Sequence, residues 1–147
     1  MEYFSVSEEE LTTLGALHTA REIWDQPYVW TKTYTKFLNE KPEISRFRDK
    51  VIRQHKKIIL TGAGTSAYIG YTLEGTFQRQ TGITTVSIPT THLVTHPKDY
   101  LDPELPTLVV SFARSGNSPE SVAAVRLIDR ICKNVAHLVI TCDENGE

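Results

Sequence analysis

Ile58-Ile59-Leu60-Thr61-Gly62-Ala63-Gly64-Thr65-Ser66-Ala67 is the stretch on which the fold turns. A short apolar run enters a turn of small residues and hydroxyls, and the residues after it, 66–81, read as a helix. Small residues let a backbone approach an anion closely, and the unpaired N–H groups of a helix start point at it with the helix dipole behind them. The same arrangement recurs at Leu108-Val109-Val110 followed by Ser111-Phe112-Ala113-Arg114-Ser115-Gly116-Asn117-Ser118-Pro119-Glu120-Ser121. Thr65, Ser66, Ser115 and Ser118 supply hydroxyl donors, and Arg114 beside a helix start is a natural phosphate partner or, equally, a surface ion-pair former. Two such loops in one unit point to a phosphorylated small-molecule ligand.

Outward from these loops, the pattern is strand and helix in alternation. Strands are expected at 58–61, 84–88, 108–112 and 137–141, helices at 66–81 and 119–133, and mostly loop with one turn at 89–106. Near-continuous apolar strands joined by crossovers predict an α/β, doubly wound, flavodoxin-like parallel sheet covered on both faces. The chain stops soon after the fourth strand, where such a sheet would normally continue, so the domain is expected to be cut short.

The first third reads as a helical arm, residues 1–50, ahead of a sheet domain at 51–147. Ser7 with Glu10 forms a capping box for a helix over 7–21, with Leu11, Leu14 and Leu17 at helical spacing. Pro27 marks a second helix start, and Trp30, Tyr34, Phe37 and Leu38 make a stripe read as core packing. A third helix is expected at 43–55, with Ile44, Phe47, Val51 and Ile52 inward.

Composition bounds the function. With 147 residues, 39% hydrophobic content and a net charge of −2, the chain has one ordinary core and no basic surplus for nucleic acid. It has no apolar stretch of membrane-spanning length, and its start lacks the features of a signal peptide. Cys132 and Cys142 are too irregularly placed for a zinc site or redox pair, which suggests structural thiols in the cytoplasm.

Two rival chemistries fail on their own requirements. Gly62-Ala63-Gly64-Thr65-Ser66-Ala67 fits the dinucleotide fingerprint G-x-G-x-x-A, but the second strand ends Ser87-Ile88-Pro89-Thr90-Thr91 without the acid that would hold a ribose; the nearest acid, Glu74, falls inside the first helix. A P-loop is excluded because no G-x-x-x-x-G-K occurs. No cofactor is therefore expected. His92 and His96 are four apart but bracketed by Pro89 and Pro97, with no third ligand evident, so no metal is expected. His92 follows a strand end on the ligand side of such a sheet and is a candidate sugar contact. Ser118, Pro119 and Glu120 are explained as an N-cap, an N1 proline and a first-turn acid; Arg114, Ser115, Gly116 and Asn117 are not.

Taken together, Ile59–Ala67, Ser111–Ser121 and Glu22-Ile23-Trp24-Asp25-Gln26-Pro27 resemble the sugar isomerase (SIS) domain family. The likeness is strongest to the amino half of the bacterial enzymes described as tagatose-6-phosphate ketose/aldose isomerase or galactosamine-6-phosphate deaminase/isomerase. Those also have a segment similar to Pro89–Leu101. The resemblance implies that Gly64, Thr65 and Ser66, with Arg114, Ser115, Gly116, Asn117 and Ser118, bind the phosphate of a hexose or aminohexose 6-phosphate. Ala113 departs from the family's S-x-S-G-x-[ST] turn and removes one hydroxyl. The resemblance also implies two SIS domains per enzyme, with the base and ring-opening groups mostly in the second. No catalytic residue is assigned here, and the chain alone is expected to be inactive. A second SIS domain or homo-oligomer is the expected partner; a stand-alone sugar-phosphate sensor and a degenerate fragment are the alternatives.

Overall fold

The computed structural model describes residues 1–143, 145 and 146. The chain divides into two compact units, Met1–Arg46 and Phe47–Glu147.

In the first unit, strands β1 (Glu2–Tyr3) and β2 (Val6–Ser7) form an antiparallel hairpin. Its two turn residues, Phe4 and Ser5, both have positive φ, 57° and 66°, the sign that matches a tight turn to strand twist. Helix α1 (Glu8–Thr13) starts at the expected N-cap, with Ser7 Oγ accepting from Glu10 N at 3.2 Å, the first half of a capping box. The helix expected over 7–21 is broken, however. Gly15 takes φ +67°, Ala16 N bonds back to Leu11 O at 2.8 Å, and Leu14 is left exposed. Tyr3, Leu11 and Ala20 form a small core. Arg21 bonds Glu8 at 2.7 Å, and this hydrogen bond is the main reason that the Glu8 carboxyl is held below its ordinary value.

Helix α2 (Leu17–Gln54) then runs unbroken through Pro27 and Pro42. The helix starts expected at Pro27 and near residue 43 are therefore corrected. Each proline forfeits one backbone bond, and the bonds on either side carry the helix through. The stripe expected in a core is on the surface instead: Trp30 and Tyr34 are 64% and 62% exposed, and Phe37 and Leu38 are also open.

In the second unit, the end of α2 contributes Val51 to the core, flanked by Phe47 and Ile52. β3 (Lys57–Gly62) follows, then a single 3-10 turn at Gly64–Ser66, α3 (Ala67–Thr81) and β4 (Thr84–Ser87). The segment expected to be mostly loop holds two short helices, α4 (Thr90–Thr95) and α5 (Pro97–Tyr100), the second begun by Pro97 at its first turn. β5 (Thr107–Ala113), α6 (Pro119–Ile131) and β6 (Val135–Thr141) complete it. The four strands form a parallel sheet in the order β4-β3-β5-β6. The α/β doubly wound expectation holds, with all four strands found.

Strand residues alternate between two cores. Ile58, Leu60, Leu108, Val110 and Phe112 meet α3 and the end of α2. Ile59 and Val109 meet Leu93 of α4 and Ala124 and Ile128 of α6. Helices on both faces explain why these strands are apolar without alternation. Gly70 lets α3 lie close: a Cβ there would strike Ser87 Oγ and come within 3.2 Å of Leu60 Cβ.

Glu74, inside α3, turns toward the edge of the sheet. Its Oε2 accepts from Ser87 N at 2.6 Å, and Gln78 Oε1 accepts from Thr85 N at 3.1 Å. These are alternate amides of β4, an edge strand, so α3 covers the edge with side-chain acceptors. No helix among the described residues is long and apolar enough to cross a membrane.

Candidate functional site

The strand order fixes where a ligand has room. From β3 the chain steps outward to β4, then crosses back over β3 to β5 and on to β6, so the winding reverses between β3 and β5. Crossovers leave in opposite directions at such a switch point, and a crevice opens at the carboxyl ends of the two strands. Those ends, with Thr61 opposite Ser111 and Gly62 opposite Phe112, carry the two loops singled out in the sequence.

The first loop depends on Gly62. A Cβ there would lie 2.7 Å from Ser66 C, 2.8 Å from Ser66 O and 2.9 Å from Ser66 Cβ, so the backbone of Ser66 folds directly over the strand end. Gly64 is required for another reason: its φ is +54°, with open space where a side chain would be. Ser66 N bonds Ala63 O at 3.1 Å, closing the turn. The hydroxyls of Thr65 and Ser66 have no partner among the described residues.

The second loop is pinned by its backbone. Arg114 O accepts from Thr141 Oγ1 and Cys142 N, both at 3.2 Å, while Ser115 Oγ accepts from Asn117 N at 3.3 Å. The Arg114 side chain is exposed and makes no ion pair among the described residues. Ser118 stands at the N-cap with Pro119 after it, as read from the sequence. The cap is made by its carbonyl, which accepts from Ser121 N at 2.9 Å and Val122 N at 3.1 Å; its hydroxyl makes no capping bond.

Both loops line one cavity of about 330 Å³, bounded by Ala63, Gly64, Thr65 and Ser66 on one side and Phe112, Ala113, Arg114, Ser115, Ser118, Glu120 and Ser121 on the other. The size suits a small ligand. The formal charges of Arg114 and Glu120 cancel. Attraction for an anion is left to the helix ends, since Ser66 immediately precedes α3 and Ser118 caps α6, each end equivalent to about half a positive charge.

Six of the expected phosphate residues, Gly64, Thr65, Ser66, Arg114, Ser115 and Ser118, share this cavity. Gly116 and Asn117 do not line it: Gly116, at φ +76°, turns the loop, and Asn117 borders a groove with Val94 and Pro119. His92 is on α4, exposed, with its ring stacked on Tyr100 at 6.1 Å, and it is not among the residues lining the cavity. Glu120 and Ser121 line it without having been expected to; Ser121 follows Ser118 at i+3, a helical spacing that could have found it. A second, more apolar cavity of about 290 Å³ shares Phe112, Ala113 and Ser121 with the first, and the buried Ser111 Oγ at its wall has no partner among the described residues. His137 of β6 pairs with Asp129 of α6 at 3.0 Å.

The chain is 45% identical over 87% of its length to D-galactosamine-6-phosphate deaminase AgaS of Escherichia coli, covering 34% of that protein. It is 41% identical over 97% of its length to the protein of the same name from Shewanella sp. strain ANA-3, covering 38%. The crystal structure of tagatose-6-phosphate ketose/aldose isomerase from Escherichia coli superposes on 87% of the chain with a TM-score of 0.83 at 45% identity, and 35% of that chain is covered. A structure from Clostridium novyi NT, provisionally assigned the same activity, covers 100% of the chain with a TM-score of 0.93 at 38% identity, over 38% of its own length. The chain thus spans a little over a third of the length of the relatives it matches. The SIS domain profile matches residues 51–147, the stretch that holds the whole parallel sheet and both loops, and the chain belongs to the SIS domain family.

Proposed function

We propose that the chain binds a hexose or aminohexose 6-phosphate in the cavity between the two loops, as the sugar-phosphate-binding module of an aldose–ketose isomerase or aminosugar-6-phosphate deaminase. The observation that carries this reading is the meeting, at the switch point, of two helix N-termini and of hydroxyls at Thr65, Ser66 and Ser118 that have no partner among the described residues, around one small polar cavity. The phosphate accepts from these hydroxyls and loop N–H groups, with Arg114 closing over it. The more apolar neighbouring cavity, with the Ser111 hydroxyl at its wall, receives part of the sugar.

Remote phosphate binding supplies orientation and affinity, while moving a carbonyl between C1 and C2 needs a base at the C2 proton. Glu120 is the one carboxylate among the described residues that line the phosphate cavity, and it stands at the phosphate end, with the reacting carbons at the other end of the sugar. Phosphate binding is thus assigned to this chain and the base to a partner SIS domain. The free thiols of Cys132 and Cys142 fit a protein working in a reducing cytoplasm.

Calorimetric titration with galactosamine 6-phosphate, tagatose 6-phosphate, inorganic phosphate and unphosphorylated galactosamine tests the reading. The phosphorylated ligands bind and galactosamine does not, and Ser66→Ala and Ser115→Ala each weaken binding about ten- to a hundredfold, the equivalent of one hydrogen bond to a charged group. Equal binding of galactosamine and its 6-phosphate, or affinity untouched by both substitutions, overturns it.

A further inference from the structure

The two cavities at the switch point share Phe112, Ala113 and Ser121, so a ligand that occupies both passes between them at this neck. Ser121 alone of the three carries a polar side chain. It stands in the first turn of α6, half-buried, and its hydroxyl makes no hydrogen bond among the described residues. The other polar side chains of the apolar cavity are less well placed. The Ser111 hydroxyl is enclosed, the Thr90 hydroxyl donates to Gly62 O at 3.3 Å, and Arg126 stands more than a helical turn beyond Ser121 along α6. The side chains of Val122, Val125 and Val139 in the same wall offer a sugar hydroxyl no partner.

We infer that Ser121 is a specificity residue, hydrogen-bonded to the C4 hydroxyl of the sugar and selecting its configuration; the inference rests on the reading that the phosphate occupies the polar cavity. The phosphate is carried on C6. C4 is two carbon–carbon bonds from C6 and C2 is four, at about 1.5 Å a bond, so with the phosphate held by the loops it is C5 and C4 that fall at the neck. D-hexoses have C5 in common, and C4 is therefore the first centre at which they differ. Galactosamine and tagatose 6-phosphates share one configuration at C4, and glucosamine and fructose 6-phosphates have the other. The two configurations set O4 on opposite sides of the carbon chain, so the one that faces Ser121 gains a partner and its epimer turns the hydroxyl to the apolar wall. Both sugars of the proposed function carry the galacto configuration, which is the one assigned to Ser121. A serine hydroxyl donates and accepts, and a site that bonds a ligand hydroxyl discriminates well because the misplaced group goes unpaired.

Calorimetric titration of the 147-residue chain with these four sugar phosphates and with inorganic phosphate tests the assignment. Galactosamine 6-phosphate and tagatose 6-phosphate each bind about tenfold more tightly than their C4 epimers, a difference of one hydrogen bond and one unpaired hydroxyl. Ser121→Ala removes that difference by weakening the galacto ligands and leaves the affinity for inorganic phosphate as it was. Ser118→Ala, at the phosphate, weakens all the ligands together and keeps the preference. Circular dichroism shows both variants folded. Equal binding of the epimers by the unsubstituted chain, a preference that survives Ser121→Ala, or a loss of inorganic phosphate as large as that of galactosamine 6-phosphate each overturns the inference and leaves the phosphate reading in place. Failure of every ligand to bind overturns both.

Discussion

Gly62→Ala tests the first loop directly. The added methyl meets the carbonyl carbon of Ser66 at 2.7 Å, about 0.7 Å short of ordinary van der Waals contact, and the two nearest atoms are backbone, which cannot swing aside as a side chain tip would. Overpacking of this kind costs about 1–3 kcal/mol. For a domain of this size that lowers the unfolding temperature by roughly 4–8 °C per kcal/mol. The loop yields by lifting Ser66 off the strand end, which moves the start of α3 and the Ser66 hydroxyl away from the cavity. Two hydrogen bonds to an anion are at stake, at ~1.5–3 kcal/mol each, so affinity for hexose 6-phosphates falls more than tenfold. Gly64→Ala is the control, since it has open space and only the left-handed φ of +54° to resist it. That costs roughly 1–2 kcal/mol without displacing Ser66. Thermal unfolding and calorimetric titration of both variants separate the effects. Gly62→Ala with unaltered melting temperature and affinity would refute the argument that the Ser66 backbone is seated on that glycine.

Three further outcomes are expected. Glu74→Ala leaves the Ser87 amide without its acceptor, lowering stability by about 1–3 kcal/mol in urea unfolding and exposing the edge of β4, seen as self-association at high concentration. Arg114→Ala weakens phosphate binding and flattens its salt dependence, whereas Ala113→Ser, which restores the family's hydroxyl beside the cavity, strengthens it modestly; titrations at low and high salt read both signs. Burial pushes the Cys132 thiol up, so at pH 8 less of it is thiolate than of an ordinary cysteine; a thiol reagent labels the exposed Cys142 first and Cys132 only as the protein unfolds, and equal labelling rates in the native protein would contradict this.

What the sequence determined on its own was the sheet and its loops. Runs such as Ile58–Leu60 and Leu108–Val110, short, apolar without alternation and followed by turns of small residues, read as strands buried on both faces, and this is a local signal that needs no partner to be read. Gly62, Gly64 and the serines of the second loop were legible for the same reason, because turn chemistry is written in adjacent residues. Tertiary structure alone decided the rest. Pro27 and Pro42 mark helix starts by local rule, but a long helix bridges one lost bond at each. The periodic aromatics of α2 look identical whether a core faces them or solvent does, and only the fold shows the surface open. Glu74 has no local partner; its acceptor role exists because α3 lies along the edge of a strand thirteen residues away. That the two loops share one cavity follows from the order β4-β3-β5-β6, a property of strand pairing between distant segments that no single stretch of sequence encodes.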